Sequence, residues 1–261
     1  MKKTILFIGI LQLLFTNNSF SEETAGAYYR YFSGKLDKYP IQLTLIKNNN
    51  EKDPHLTGFY SYDSEGIKYL TLDGGYDGDF YKNLTNIFVA ESTDKEKVTG
   101  SLEGKILDNN FTGTWLPKGE GKELKFNLKA PDYTKTIIKD SKAKKSLLKN
   151  TKISLQWISF NDYEKIKVFE KDNKVFMKGR YNSKKVKGDF LEIDGFFTSI
   201  DKYQLNFNGK ITMQINHIFS GMPCQRLGDF TFKKYNGRNY WRMQEMKNPC
   251  DVHTDYIDIA N

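Results

Sequence analysis

Cys224 and Cys250 are the residues of this chain whose chemistry is clearest. Each follows a proline, and together they flank Asn236-Gly237, a strong signal for a hairpin turn. In an oxidising compartment, two such cysteines pair more often than they stay free or bind a metal. A bond across the open ends of the hairpin would close a loop of about 26 residues, worth about 3.5 kcal/mol in the chain-entropy model. We therefore predict a structural disulfide.

The segment that follows Cys250 contains the residue types of a metal site. Cys250 and His253 have the Cys-x-x-His spacing of a zinc pair, and Asp251, Asp255 and Asp258 surround the histidine. The sequence offers no second pair at ligand spacing, and an oxidised Cys250 could not act as a ligand. We therefore interpret the three aspartates as turn and strand-edge residues, and we expect neither a metal nor another cofactor.

Catalytic motifs are missing from the sequence. The three histidines are His55, His217 and His253, and no serine lies in a Gly-x-Ser-x-Gly elbow. Neither a Walker loop nor a dinucleotide-binding fingerprint is present. The chain has 32 acidic residues, and a glycosidase pair cannot be selected among them without geometry. We predict a protein that is not an enzyme, with a hydrolase as the least favoured alternative.

Aromatic residues provide the remaining functional signal. Tyr60 and Tyr62 lie two apart, and therefore on one face of a strand, and Trp115 ends a Gly-Thr-Trp strand. Inside an eight-stranded barrel, such side chains either line a site for one small ligand or fill the interior. We take Tyr60, Tyr62 and Trp115 as the candidate binding residues.

The elements that must position these residues are strands. Apolar and polar residues alternate over 98–106, 111–115 and 124–128, and Asp, Asn and Gly turns separate the runs. Seven or eight short antiparallel strands fit between Tyr28 and Lys129. This spacing predicts a first domain over 22–131, either a meander closed into a barrel or a sandwich.

A short repeat of an apolar residue, threonine and glycine runs through this first half. It occurs at Leu56-Thr57-Gly58, Val98-Thr99-Gly100 and Phe111-Thr112-Gly113. Glycine weakens a strand unless it relieves a bend or a close contact. The repeat therefore predicts a strongly curved sheet.

The pattern changes after residue 131. Lysine-rich residues 132–150 lack strand alternation and predict either a linker or one amphipathic helix, which we take as the domain boundary. Alternation returns over 175–181 and 205–215, so residues 151–261 are predicted to form a second antiparallel β domain that contains the disulfide. The fold class predicted is all-β, mainly antiparallel.

The motifs at 56–62 and 113–115 resemble a pattern in uncharacterised exported bacterial proteins. They are also similar to the meander strands of lipocalin-like and avidin-like barrels. The resemblance covers about the first half of the chain that follows the leader. It implies a barrel fold, but it transfers no ligand-binding residue.

The first 21 residues have the form of a secretory signal peptide. Lys2 and Lys3 precede the apolar run 5–15, and Ser19 and Ser21 occupy the positions that a signal peptidase reads. We predict cleavage after Ser21, with a single membrane anchor as the alternative. No cysteine stands near the cleavage site for lipid attachment. The predicted location is the periplasm or the outer surface of a Gram-negative bacterium, with no transmembrane span in the mature chain.

The net charge of the chain and its distribution limit the classes of molecule that the protein is expected to bind. The net charge is +8, from 40 basic and 32 acidic residues that are mixed along the chain. A nucleic-acid-binding protein usually concentrates its basic residues, so we expect no nucleic acid, although anionic envelope components would be weakly attracted. The sequence thus predicts an exported binding protein for a small apolar or amphipathic ligand. The alternative is a protein that binds an envelope or host macromolecule, as a surface adhesin or a periplasmic inhibitor does.

Overall fold

The computed structural model describes residues 25–49, 54–62, 69–93, 97–235 and 237–261. The predicted leader, residues 1–21, lies outside these ranges, as does Asn236 of the predicted hairpin turn. The described residues form mainly antiparallel β-structure with one short α-helix, which confirms the predicted all-β fold class.

The first eight strands form a closed antiparallel barrel. Each strand pairs with the next one along the chain, from β1 to β8. Residues Ser33–Leu36 of β1 then pair with β8, which closes the sheet and selects the barrel over the sandwich. The strands are β1 (Gly26–Leu36), β2 (Tyr39–Asn48), β3 (His55–Tyr62), β4 (Leu70–Gly78), β5 (Leu84–Ser92), β6 (Val98–Leu107), β7 (Asn110–Pro117) and β8 (Leu124–Lys129).

The repeated glycines allow this curvature. A Cβ atom added at Gly58, Gly100 or Gly113 would lie 2.4, 2.5 or 2.0 Å from a carbonyl oxygen of the neighbouring strand. Any larger residue at these positions would push the two strands apart. The curved sheet predicted from the repeat is therefore confirmed.

The strands of the C-terminal half continue the same hydrogen-bonded sheet beyond the barrel, and we call this part the C-terminal sheet. Its strands follow the order β12-β13-β14-β15-β16-β17-β18-β10-β11, and each neighbouring pair in this order is antiparallel. The short strand β9 pairs with β14 in parallel. The strands are β9 (Ile137–Ile138), β10 (Lys152–Leu155), β11 (Glu164–Lys165), β12 (Lys167–Lys171), β13 (Lys174–Asn182), β14 (Phe190–Ile200), β15 (Gln204–Gln214), β16 (Cys224–Lys233), β17 (Tyr240–Met243) and β18 (Ile257–Ala260), with a 3-10 turn at Phe219–Gly221.

The lysine-rich segment contains a helix, α1 (Ser141–Asn150). The Asp140 carboxylate caps it by accepting a hydrogen bond from the Ala143 N–H at 2.7 Å. Ala143 and Leu147 are its buried residues and pack in the core of the C-terminal sheet. Of the helices that the structure describes, none has the length and apolar character needed to cross a lipid bilayer.

Strand β1 belongs to both halves. Its residues Gly26–Tyr29 pair in parallel with Gln225–Gly228 of β16. Ala27 and Tyr29 pack in the core of the C-terminal sheet, whereas Phe32 and Leu36 pack in the core of the barrel. Because both faces of β1 are buried, the two cores lie on either side of one strand.

Candidate functional site

The candidate residues Tyr60, Tyr62 and Trp115 come together near one end of the barrel, around the carboxylate of Glu91. The Tyr60 hydroxyl donates a hydrogen bond to this carboxylate, and the Trp115 indole N–H donates another at 2.8 Å. The Thr99 hydroxyl donates a third. Tyr62 packs edge-on against Tyr60, with 5.7 Å between the ring centres. Glu91 is only 3% exposed, so these donors satisfy a buried charge.

Glu91 is not among the residues predicted from the sequence, although the strand pattern contains a signal for it. Ile87, Val89 and Glu91 alternate along β5, and the first two are buried in the barrel core. A period of two places Glu91 on the same inward face.

The barrel interior is occupied by side chains. Burial and the neighbouring Glu91 carboxylate raise the pKa of Tyr60, which keeps its hydroxyl protonated as a donor. This arrangement favours the interpretation in which the aromatic residues fill the barrel. Packed along the same interior, each at most 3% exposed, are Phe32, Leu43, Leu102, Ile106, Phe111 and Phe126.

The disulfide between Cys224 and Cys250 is present, which confirms the prediction. Cys224 begins β16 and Cys250 lies in the loop between β17 and β18, with 6.1 Å between the Cα atoms. Within the described ranges, no group of three or more His, Cys, Asp and Glu side chains could hold a metal ion.

The interpretation of the three aspartates near the C-terminus was wrong for Asp255. Its side chain is fully buried and forms an ion pair with Arg226, whose side chain is also fully buried. The Trp157 indole N–H donates to the other Asp255 oxygen at 2.8 Å. Asp251 does act as a turn residue, because its side chain accepts a hydrogen bond from the His253 N–H, two residues on, at 2.8 Å. Asp255 differs because the segment just before β18 turns inward against β16.

Two further carboxyl groups are buried between the halves. Asp229 accepts hydrogen bonds from the Tyr133 hydroxyl at 2.7 Å and from the Tyr31 N–H at 3.1 Å. Both oxygens of Glu245 lie within hydrogen-bond distance of the Thr231 N–H, at 3.0 and 3.1 Å. Burial raises the pKa of Asp229, and it raises the pKa of Glu245 to about 8.

Glu245→Gln should flatten the dependence of stability on pH. The pKa of Glu245 is about 8 in the folded chain and ordinarily 4.5, so between these values folding takes up a proton. The stabilisation is complete below pH 4.5 and is lost as the pH rises through 8, by up to about 1.4 kcal/mol per pH unit. Glutamine keeps the acceptor for Thr231 but cannot ionise. Urea titrations at about pH 5 and about pH 7 measure the free energy of unfolding at each pH. Between these two values, the free energy of unfolding of the wild type should fall by about 2 kcal/mol more than that of the variant.

Exposed Glu123 provides the matched control, since Glu123→Gln removes the same charge from the surface. Equal losses in wild type and Glu245→Gln would contradict the assignment of a raised pKa to Glu245.

An open groove of about 260 Å³ lies at the edge of the C-terminal sheet, where β10, β17 and β18 meet the loop 156–163. We call it the tyrosine groove. Three tyrosines and a phenylalanine share it with short polar side chains and one Arg–Asp pair. Its lining residues are Ser154, Gln156, Ser159, Phe160, Asn161, Tyr163, Tyr240, Arg242, Tyr256 and Asp258.

Strand alternation builds the floor of this groove. Tyr240 and Arg242 lie on the groove face of β17, while Trp241 between them is buried in the core. Tyr256, just before β18, and Asp258 within it share the groove face, and Arg242 is the register partner of Asp258. Adjacent strands thus place two tyrosines and one ion pair on a common surface.

The ion pair at the centre of the groove has a fork-to-fork geometry. Arg242 donates from Nε and from one terminal nitrogen to the two Asp258 oxygens, both at 2.8 Å. Its guanidinium carbon also lies 4.3 Å from the ring centre of Tyr256 and 5.2 Å from that of Tyr240. The hydrogen bonds with Asp258 raise the pKa of Arg242. Arg242 is therefore held in place and its charge is compensated.

The loop 156–163 forms the rim. The Gln156 amide donates to the Thr254 carbonyl at 2.6 Å and accepts from the Tyr256 N–H, which ties the loop to the segment before β18. The Ser159 hydroxyl oxygen accepts from the Asp162 N–H at 3.2 Å. Phe160 is 75% exposed at the edge. A large aromatic ring is thus presented to solvent by a loop that Gln156 ties to the segment before β18.

Two other grooves are less specific in their chemistry. A polar cleft of about 490 Å³ lies between the barrel and the C-terminal sheet, lined by residues that include Tyr31, Lys139 and Asp201. A shallow depression of about 890 Å³ covers the outer wall of the barrel around Phe88. The tyrosine groove differs from both because it combines several aromatic rings with a fixed ion pair.

The fold and these features define a class of protein: an eight-stranded antiparallel barrel that shares its first strand with a disulfide-bridged C-terminal sheet bearing an aromatic groove. The chain belongs to the PM1083 family, whose model matches residues 135–261. An uncharacterised protein of Pasteurella multocida strain Pm70, PM1083, is 32% identical over 119 residues, which are 46% of this chain and 76% of that protein.

The matched range contains the whole tyrosine groove, the disulfide and the Arg226–Asp255 pair, whereas the barrel precedes it. No solved structure shows significant similarity to this chain.

Proposed function

We propose that this protein is an exported, non-enzymatic binding protein of the Gram-negative envelope, and that its tyrosine groove engages a macromolecular partner. The observation that carries the proposal is Phe160, a phenylalanine exposed to 75% beside a groove lined by Tyr240 and Tyr256. Exposed aromatic clusters with a polar rim are typical of interaction sites.

The filled barrel favours a partner bound outside it. The spacing of Tyr60, Tyr62 and Trp115 predicts a small ligand held inside the barrel as the other possibility. Tyr60 and Trp115, however, use their polar atoms to satisfy Glu91. An open groove accepts a segment of a large molecule without displacing a packed core.

A non-enzymatic role agrees with the chemistry of the groove. Asp258 is the only carboxylate among its described lining residues, and both oxygens accept hydrogen bonds from Arg242. A general base or nucleophile needs a lone pair aimed at the substrate. The Asp258 carboxylate instead holds Arg242 in position through these two hydrogen bonds.

Export is supported by the disulfide, since disulfides persist in oxidising compartments and are rare in the cytosol. The proposal includes removal of residues 1–21 during export. Expression of the full chain in a Gram-negative host should yield a periplasmic or surface product that begins at Glu22.

Binding of the fluorescently labelled mature protein to intact Gram-negative cells and to isolated envelopes tests the groove. Phe160→Ala should reduce binding at least about tenfold, because aromatic anchors dominate binding energies. Phe88→Ala is the matched control, since Phe88 is 51% exposed on the barrel wall. Undiminished binding by Phe160→Ala, or an equal loss with Phe88→Ala, would contradict the proposal.

A further inference from the structure

We infer that the tyrosine groove binds a neutral carbohydrate, with one sugar ring of a longer chain seated on Tyr240, Tyr256 and Phe160. This inference rests on the proposed function and names the class of partner.

The aromatic rings match the apolar faces of a sugar. Axial C–H groups give a pyranose ring one or two weakly polar faces, which pack on the negative face of an aromatic ring. Phe160 is mostly exposed and offers an open ring face. Tyr240 and Tyr256 are half-buried on the groove floor, and the Arg242 guanidinium lies over one face of each. Burying such rings against C–H groups removes apolar surface from water.

Neutral hydrogen-bonding groups surround these rings. The Asn161 amide and the hydroxyls of Tyr240 and Tyr256 have no hydrogen-bond partner among the described residues, and Ser159 accepts through its oxygen, which leaves its O–H as a donor. Amides and hydroxyls both donate and accept, as sugar hydroxyls do. The groove thus offers both hydrogen-bond donors and hydrogen-bond acceptors to a ligand.

The charges of the groove favour a neutral ligand over an anionic one. Among the described lining residues the cation is Arg242, and its charge is already met by Asp258 in a two-bond pair whose aspartate side chain is 7% exposed. Arg238 lies outside this lining, with its guanidinium carbon 5.5 Å from the ring centre of Tyr240. An anionic sugar or a peptide carboxylate would have to compete with this fixed carboxylate. A guanidinium has five N–H donors, and the pair uses two, so Arg242 can still donate to a hydroxyl.

The size of the groove is consistent with one ring of a chain. Its volume of about 260 Å³ lies just below the range of about 300–1,000 Å³ for sites that enclose drug-sized ligands. Because the groove is open, neighbouring sugar units can extend beyond it along the surface.

The test is a calorimetric titration of the mature protein with soluble neutral hexasaccharides. These are hexasaccharides of glucose (α-1,4, β-1,4 and β-1,3 linked) and of N-acetylglucosamine. A hexasaccharide of galacturonic acid and a tyrosine-rich peptide are the comparison ligands. We expect at least one neutral hexasaccharide to bind with a Kd in the micromolar to millimolar range. Phe160→Ala and Asn161→Ala should each weaken it by about tenfold or more, and Phe88→Ala should not.

Failure of the inference is distinguishable from failure of the proposed function. Suppose that cell binding depends on Phe160. If, in that case, no neutral hexasaccharide binds, or only the acidic sugar or the peptide binds, the carbohydrate inference is wrong. The proposal that the groove binds a macromolecule then still stands. If Phe160→Ala leaves cell binding unchanged, the proposed function fails. Circular dichroism of each variant excludes loss of the fold as the cause.

Discussion

Arg226→Met should lower the free energy of unfolding by about 3–5 kcal/mol, because it leaves a buried carboxylate without its cation. Arg226 and Asp255 are both fully buried, and the Asp255 side chain also accepts a hydrogen bond from Trp157. Methionine fills a similar volume, so the loss reports charge rather than a cavity. Urea unfolding at pH 7, followed by tryptophan fluorescence, measures the change.

The double variant Arg226→Met, Asp255→Asn is the control. Asparagine keeps an acceptor for the Trp157 N–H but carries no charge, so the double variant should recover most of the stability that the single variant loses. We expect this recovery because a buried ion pair adds little to the free energy of unfolding, whereas one unpaired buried charge lowers it strongly. A single variant as stable as wild type, or a double variant that recovers nothing, would show that charge pairing is not what holds these residues together.

Removing the disulfide with Cys224→Ser and Cys250→Ser together should cost about 3.5 kcal/mol. The cysteines are 26 positions apart, and the bridge restricts the unfolded chain over the loop between them. The denaturant slope should rise as well, since an unfolded chain without the bridge exposes more surface. Equilibrium unfolding in urea gives both quantities.

Reduced wild type serves as the control for the double serine variant. With dithiothreitol present, wild type should unfold at the midpoint of the variant, and dithiothreitol should not affect the variant itself. A reduced wild type as stable as the oxidised protein would show that the bridge does not restrict the unfolded state.

Local patterns predicted most of the strands. Residues 98–106 and 205–215 alternate between apolar and polar, and they appear as β6 and β15. Strand β1 shows no such alternation over Ala27–Phe32, because one face packs in each core. A sequence pattern can reveal one buried face, but it does not show that a strand packs in two different cores.

The tyrosine groove could be predicted only in part. The alternation of Tyr240 with Trp241 and Arg242 places two of its residues on one face of a strand. The loop that carries Gln156 and Phe160, however, lies about 80 residues before β17 and about 100 residues before Tyr256 along the chain, so only strand order brings it to the groove.

By itself, the sequence determined the all-β class, the curvature of the barrel and the disulfide. These depend on local properties: a period of two, glycine where strands approach closely, and two cysteines that flank a hairpin. Only the tertiary structure decided that Glu91 and Asp255 are buried with donors, that β1 joins both cores, and that the aromatic surface forms at the edge of the C-terminal sheet. Those features depend on which distant strands become neighbours, and the free energy of that choice is spread over the whole packed chain.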